Sequence, residues 1–451
     1  MNNHRHGLND MNDVQRTAVL PGPKARALIE RDRAVVSPSY VRDYPFVMAQ
    51  GRGAEVWDVD DNRFVDFAAG IAVCSTGHSH PDVVVAIKAA ADRFLHISCD
   101  FWHEGQVQLA EAIAALDPVS GPALSFFANS GTEAVEAALK LARQVSGRPR
   151  FIGFLGGFHG RTMGSLSFTA SKHTQQRGYF PTTPGVVHVP YPNPYRPLFA
   201  GDDQVRATIA YIEMLFERNI PASEVAAILI EPIQGEGGYI VPPPGFLAAL
   251  RALCDKHGIY LIFDEVQAGI GRTGKMFAWQ HSGVRPDIMA LAKGLGSGLP
   301  IGVMVGARKI MEKWPPGSHA NTYGGNPLCC AAALATLKLV NGGYAENARI
   351  MGERAMARLQ KFAEEFPMIG EVRGNGLMIG MEFVKDRVGK APAKEFATRL
   401  VNRAFANGLL LLECGASGLR IIPPLMIDAK LLDEGLDILH RSFRDVIAEG
   451  V

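Results

Sequence analysis

Several features that would narrow the role of this sequence at once are missing from it. Its 451 residues carry 46 Lys and Arg against 45 Asp and Glu, a formal net charge of +1. So weak a field neither gathers nucleic acid nor draws the chain to an anionic membrane, so any charge on a substrate has to be met locally. The six cysteines, Cys74, Cys99, Cys254, Cys329, Cys330 and Cys414, show no CxxC spacing. That argues against a zinc site and favours free thiols over a disulfide framework, and no metal is expected. No run of eighteen apolar residues occurs, and the opening MNNHRHGLNDMNDVQRT lacks an apolar signal core. Asp10 and Asp13 also argue against an organelle transit peptide, so the expectation is a cytoplasmic chain without a membrane span. Internal repeats and low-complexity tracts are absent as well.

What is present is a chain long enough for two domains, with 47% apolar residues to fill a large core. Residues 1 to about 35 mix polar, Pro and Gly positions without a period and read as a loose arm. The Asp60-Asp61-Asn62 turn, flanked by Val56, Trp57, Phe64 and Val65, reads as a hairpin. Helical spacing follows over Pro81 to Leu95 and Val107 to Leu116. From Ala123 short apolar runs alternate with helical stretches: 124–128, 151–154, 185–189, 226–230, 259–263, 288–291 and 301–305. That alternation predicts an α/β large domain with a mostly parallel, doubly wound sheet. Beyond Asn326 two helical runs and then strands read as a smaller α+β domain. The expected division is 1–75 for the arm and part of the small domain, 76–326 for the large domain and 327–451 for the remainder of the small one.

The stretch from Ile259 to Gly302 carries the chemistry. Its first apolar run ends in Asp264 and Glu265, and the carboxyl edge of a parallel sheet is where ligands bind. A second run, 288–292, ends in Lys293, which is followed by Gly294, Gly296 and Gly298. Burying an ammonium is costly unless it is paired or deprotonated, and a deprotonated lysine is a nucleophile able to condense with an aldehyde. An aspartate at a neighbouring strand end could keep a pyridine nitrogen protonated and the ring electron-withdrawing. By spacing alone, Lys293 snorkelling to solvent and Asp264 capping a helix fit equally well.

The acidic pair, Gln267, the turn Gly269-Ile270-Gly271-Arg272-Thr273-Gly274 and the later Lys293-Gly294 recur in this order in a known family. The segment resembles the pyridoxal-phosphate attachment region of class III aminotransferases, the 4-aminobutyrate branch in particular, and the resemblance runs from about Tyr40 onward. It implies pyridoxal 5'-phosphate as cofactor, with Lys293 and Asp264 catalytic and Gln267 on the ring hydroxyl oxygen.

Other motifs take meaning beside it. Asn129-Ser130-Gly131-Thr132-Glu133, between an apolar run and a helical one, fits a plain capping turn or an anion cradle. With Lys293 downstream, a phosphate cradle from Gly131 and Thr132 is the expectation. In Gly157-Phe158-His159-Gly160-Arg161, Phe158 offers a stacking face where the family often has Tyr, and His159 joins the cofactor-binding set. The resemblance assigns Thr322 to the phosphate of a partner subunit, implying a homodimer or dimer of dimers with shared active sites.

Arginine forks suit carboxylate substrates, and Arg161 and Arg420 are the candidates. A buried Arg420 needs an anionic partner, for which Glu236 is suited. The resemblance implies a switch. Glu236 pairs with Arg420 while an ω-amino acid uses Arg161, and it releases Arg420 when 2-oxoglutarate arrives. Ile71 matches the position flanking the substrate chain. Glu231 and Glu265 read as supports, and Phe101 to Glu104 has no assigned role. The implied activity moves an amino group from 4-aminobutyrate to 2-oxoglutarate. Other ω-amines, racemisation or epimerisation on the same scaffold, and a noncatalytic binding protein are the alternatives.

Overall fold

The computed structural model describes residues 19–201 and 203–450. The large domain is built on a seven-stranded sheet. Its strands are β1 (Ala123–Ala128), β2 (Arg150–Phe154), β3 (Val186–Val189), β4 (Val225–Ile230), β5 (Tyr260–Asp264), β6 (Ile288–Leu291) and β7 (Gly302–Ala307), in the order β1-β7-β6-β5-β4-β2-β3. Neighbours β3-β2-β4-β5-β6 pair in parallel, while β7 runs antiparallel to both β6 and β1. Every residue of β4, β6 and β7 is buried. Such uniformly apolar runs are what a sheet covered on both faces requires.

Between β1 and β2 lies helix α1 (Gly131–Ser146), which buries Ala134, Val135, Ala138, Leu141 and Ala142 at helical spacing. Ser130 caps its start and Gly147, at φ 67°, ends it. In the parallel pairing of β5 with β6, Asp264 lies opposite Ala290. That register carries the acid to the same sheet edge as Lys293, three residues further on.

Among the described residues two smaller sheets accompany the large one. One combines Met48–Arg52, Glu55–Asp58 and Arg63–Asp66 with the C-terminal Leu409–Leu410. The other is antiparallel, in the order Ile369–Asn375, Met378–Phe383, Gly418–Ile421, Leu412–Cys414. The stretch 327–365 is long and apolar enough to cross a membrane by length and composition. It is in fact two helices, Pro327–Leu339 and Ala345–Glu365, joined through a kink at Gly343. The first packs against helices Pro81–Arg93 and Glu104–Ala114.

The loose arm needs correction. Its first eighteen residues lie outside those described, but Pro23–Val35 is a helix with proline in its first turn. Its cap comes from the hairpin turn: the Asp60 carboxylate accepts from the Lys24 and Ala25 N–H groups at 3.0 and 2.9 Å. That cap is 36 residues away in sequence, so no local pattern announces it.

Candidate active site

Five strand ends open on one cavity of about 500 Å³. The phosphate end follows β1. The N–H groups of the first turn of α1 have no intrahelical acceptors, and Gly131 and Thr132 bring them to the cavity wall. A Cβ at Gly131 would lie 2.8 Å from a Val266 methyl, so glycine is what lets the turn come so close. The Thr132 hydroxyl is held by Ser165 and Thr162 at 2.5 and 2.8 Å.

At the centre, Asp264 is 4% exposed. Its Oδ1 accepts from the Val266 N–H at 3.0 Å, and its Oδ2 lies 2.8 Å from His159 Nδ1. Burial opposes protonation of His159, but the bond to Asp264 and the charges of Asp264 and Glu231 outweigh it, and the His159 pKa rises. His159 therefore backs Asp264 on one carboxylate oxygen through a buried hydrogen bond.

Burial lifts Glu231 to a pKa of about 7 against the attraction of His159. Its oxygens accept from the N–H groups of Phe158 and Gly235 at 2.9 and 2.8 Å. Glu231 thereby pins Phe158, which is half-buried at the cavity and carries the Arg161 guanidinium 5.7 Å from its ring centre.

Lys293 sits where β6 ends, at φ 42°. A lysine in the left-handed region is strained, and such strain persists where its surroundings impose it. Part of its surface stays accessible at the cavity wall. Burial of the rest lowers its pKa, with the attraction of Asp264 opposing. The amine is therefore available as a nucleophile nearer neutrality than a surface lysine.

A polar chain leads away from the cavity. Tyr239 donates to Gln267 Oε1 at 2.5 Å, and its phenol lies close to the Arg420 guanidinium. Arg420 Nη1 lies 3.1 Å from Glu236 Oε2, and Lys172 Nζ donates to Glu236 Oε1 at 2.7 Å. Burial opposes ionisation of Glu236, but Arg420 and Lys172 outweigh it and lower its pKa.

Gly131, Thr132, Phe158, His159, Arg161, Asp264, Gln267 and Lys293 all line the one cavity. Glu236 and Arg420 meet as a pair behind it. Ile71 is 41% exposed on a left-handed turn beside the cavity-lining Val73, and Thr322 lies exposed outside the cavity in the single chain. Glu231, read from sequence as a support, also reaches the cavity wall. Lys172 and Tyr239 went unread. A lysine in a polar loop carries no distinguishing pattern, whereas a tyrosine directly after Gly237-Gly238 was a usable signal for a special backbone conformation. His103, in the unassigned segment, caps helix Glu104–Ala114 and bonds the Gly325 carbonyl at 2.8 Å.

The donor set suits a flat aldehyde bearing a phosphate: a reactive amine, a buried aspartate beside it, an aromatic face, and a helix start closed in by glycine. The fold and these residues define a lysine-dependent pyridoxal phosphate enzyme. Residues 36–443 match the model of the family described as aminotransferase class-III. The chain belongs to that family, and its cofactor is pyridoxal 5'-phosphate.

Among its relatives, the 4-aminobutyrate aminotransferase of Mycobacterium tuberculosis is 40% identical over 440 residues, 95% of this chain and 97% of that protein. An alanine/serine racemase of Pyrococcus horikoshii is 38% identical over 439 residues, 95% of this chain and 92% of that one. A PLP-bound amine transaminase from an uncultivated Pseudomonas species superposes with a TM-score of 0.85 at 31% identity, covering 91% of this chain and 98% of that one.

Proposed function

We propose that the protein transfers the amino group of 4-aminobutyrate, or a similar ω-amino acid, to 2-oxoglutarate, giving succinate semialdehyde and glutamate. The observation that carries this reading is the buried Arg420 with its ion-pair partner Glu236. A substrate with one carboxylate needs one arginine, and Arg161 at the mouth supplies it. A dicarboxylate needs a second, and Arg420 is the second once Glu236 lets go. Lys172 gives Glu236 a cation to remain on when it does so.

Bound pyridoxal phosphate supplies an electron sink and a carrier for the amino group. Asp264, backed by His159, would hold a proton at the pyridine nitrogen. The first turn of α1 would hold the phosphate and Phe158 the ring face. Lys293 Nζ, at the cavity wall, would be the base that takes the proton from the substrate carbon bearing the nitrogen. Thr322 lies exposed and away from the cavity, which supports a homodimer in which it completes a partner's phosphate site.

Racemisation is the second reading, because racemases are among the relatives at 38% identity. Both chemistries begin with the same proton abstraction, and they differ in whether an oxo-acid is consumed. The test is Glu236→Ala assayed in each half-reaction. A selective loss with 4-aminobutyrate, relative to glutamate, is the expected result, and equal losses would remove the switch. Inversion of an α-amino acid without any oxo-acid would establish racemisation instead.

A further inference from the structure

We propose that Tyr239 is a positioning residue that ties the ring end of the cavity to Arg420, holding the guanidinium in place while Glu236 comes and goes. This rests on the reading of Arg420 as a carboxylate clamp.

Tyr239 is fully buried, and it stands at φ 57° directly after Gly238. A non-glycine residue in that region is strained unless its surroundings demand it. Two features hold it there. Its N–H bonds the Gly235 carbonyl at 3.1 Å. Gly380, paired across the sheet with Arg420, leaves open the space beside the ring, for a Cβ there would lie 2.7 Å from the Tyr239 Cβ. The tyrosine is thus pressed onto the sheet beside the arginine.

The direction of its hydrogen bonds follows from donor chemistry. Arginine offers only N–H groups, so toward the neighbouring Arg420 the phenol oxygen can act only as an acceptor. The phenol proton is then free for Gln267 at 2.5 Å, and the atom it meets must be the amide oxygen. The Gln267 amide N–H groups are left for the cavity that residue lines. One hydroxyl therefore sets the orientation of a cofactor-pocket amide and stands beside a substrate arginine.

Arg420 has few other ties. Among the described residues its Nε and Nη1 have no hydrogen-bond partner, although Nη1 sits 3.1 Å from Glu236. Once Glu236 leaves, the phenol is the neighbour that keeps the guanidinium aimed at an arriving carboxylate.

The test is Tyr239→Phe in the holoenzyme, with binding of glutarate, a dicarboxylate without an amine, compared with that of pentanoate, a monocarboxylate. Glutarate affinity is expected to fall about tenfold, as for loss of one charge-assisted hydrogen bond. Pentanoate affinity stays within about twofold, since the hydroxyl does not touch Arg161. The pH midpoint of the cofactor's visible absorption shifts as the Gln267 amide loses its fixed orientation. Equal weakening of both ligands, or no change in either with an unmoved absorption midpoint, would overturn the proposal. Should the Tyr239 variant not fold, Gln267→Met removes the same link from its other end and is expected to weaken glutarate over pentanoate. Arg420→Gln separates the two levels. If it weakens glutarate while Tyr239→Phe does not, the tyrosine's role alone falls. If it leaves glutarate binding intact, the clamp reading falls and this inference with it.

Discussion

Replacing Gly302 by alanine tests how the phosphate end of the pocket is built. The glycine opens β7, the strand that packs beside β1 and against the start of α1. A Cβ at this position would run into the carbonyl oxygen of Ser130 and lie 2.6 Å from its carbonyl carbon and 3.0 Å from its nitrogen. All three are backbone atoms, so no side-chain rotation relieves the conflict. Either β7 or the residue capping α1 has to move by close to an ångström before ordinary contact returns.

The strand is buried on both faces and hydrogen-bonded on both edges. The capping turn is the softer partner. Overpacking of this kind costs about 1–3 kcal/mol in stability. The larger consequence is the displacement of the Gly131 and Thr132 N–H groups. Losing one charge-assisted bond to the phosphate weakens cofactor affinity by about 10- to 100-fold. The assay titrates the cofactor-free protein with pyridoxal phosphate and follows visible absorption. Gly342→Ala, where an added Cβ meets nothing within 4 Å, serves as control. A folded Gly302→Ala protein with unchanged cofactor affinity would refute this reasoning.

Other predictions follow from the same geometry. The burial that lowers the Lys293 pKa makes its charged form unfavourable in the fold, so the cofactor-free protein gains stability as pH rises toward the lysine's unfolded value of 10.5. Lys293→Met is accordingly expected to melt higher than the parent apoprotein at pH 7, with the gap narrowing by pH 10, as read by calorimetry. Asp264→Asn should lower kcat by about a hundredfold or more while the cofactor still binds; initial rates and an absorption titration check the two halves of that statement. Asp60→Ala removes the distant cap of the helix at residues 23–35, at a cost of about 1 kcal/mol. Faster hydrogen exchange is expected there, with catalysis unchanged.

The legible parts of the fold were those in which local pattern and final environment agree. The runs ending at Phe154, Ile230, Leu291 and Val305 are apolar because both sheet faces are covered, and each became a strand. The α1 stripe was readable for the same reason. The helix at 23–35 was not, because it buries only Ala25 and has no side-chain cap of its own. Lys172 carries no period and no motif, and the partners that give Lys172 and Tyr239 their roles lie 64 and 28 residues away.

The sequence alone determined the strand and helix alternation, the family, and the residue types that serve an aldehyde cofactor, because those follow from local periodicity and contiguous motifs. Only the tertiary structure decided which groups meet. Pairing β5 with β6 brings Asp264 and Lys293 to one edge, His159 arrives behind the acid from β2, and the small-domain strand holding Arg420 closes on Glu236 and Tyr239. Contacts between distant segments depend on strand order and register, and a one-residue slip would turn the strand residues Asp264 and Arg420 to the opposite face.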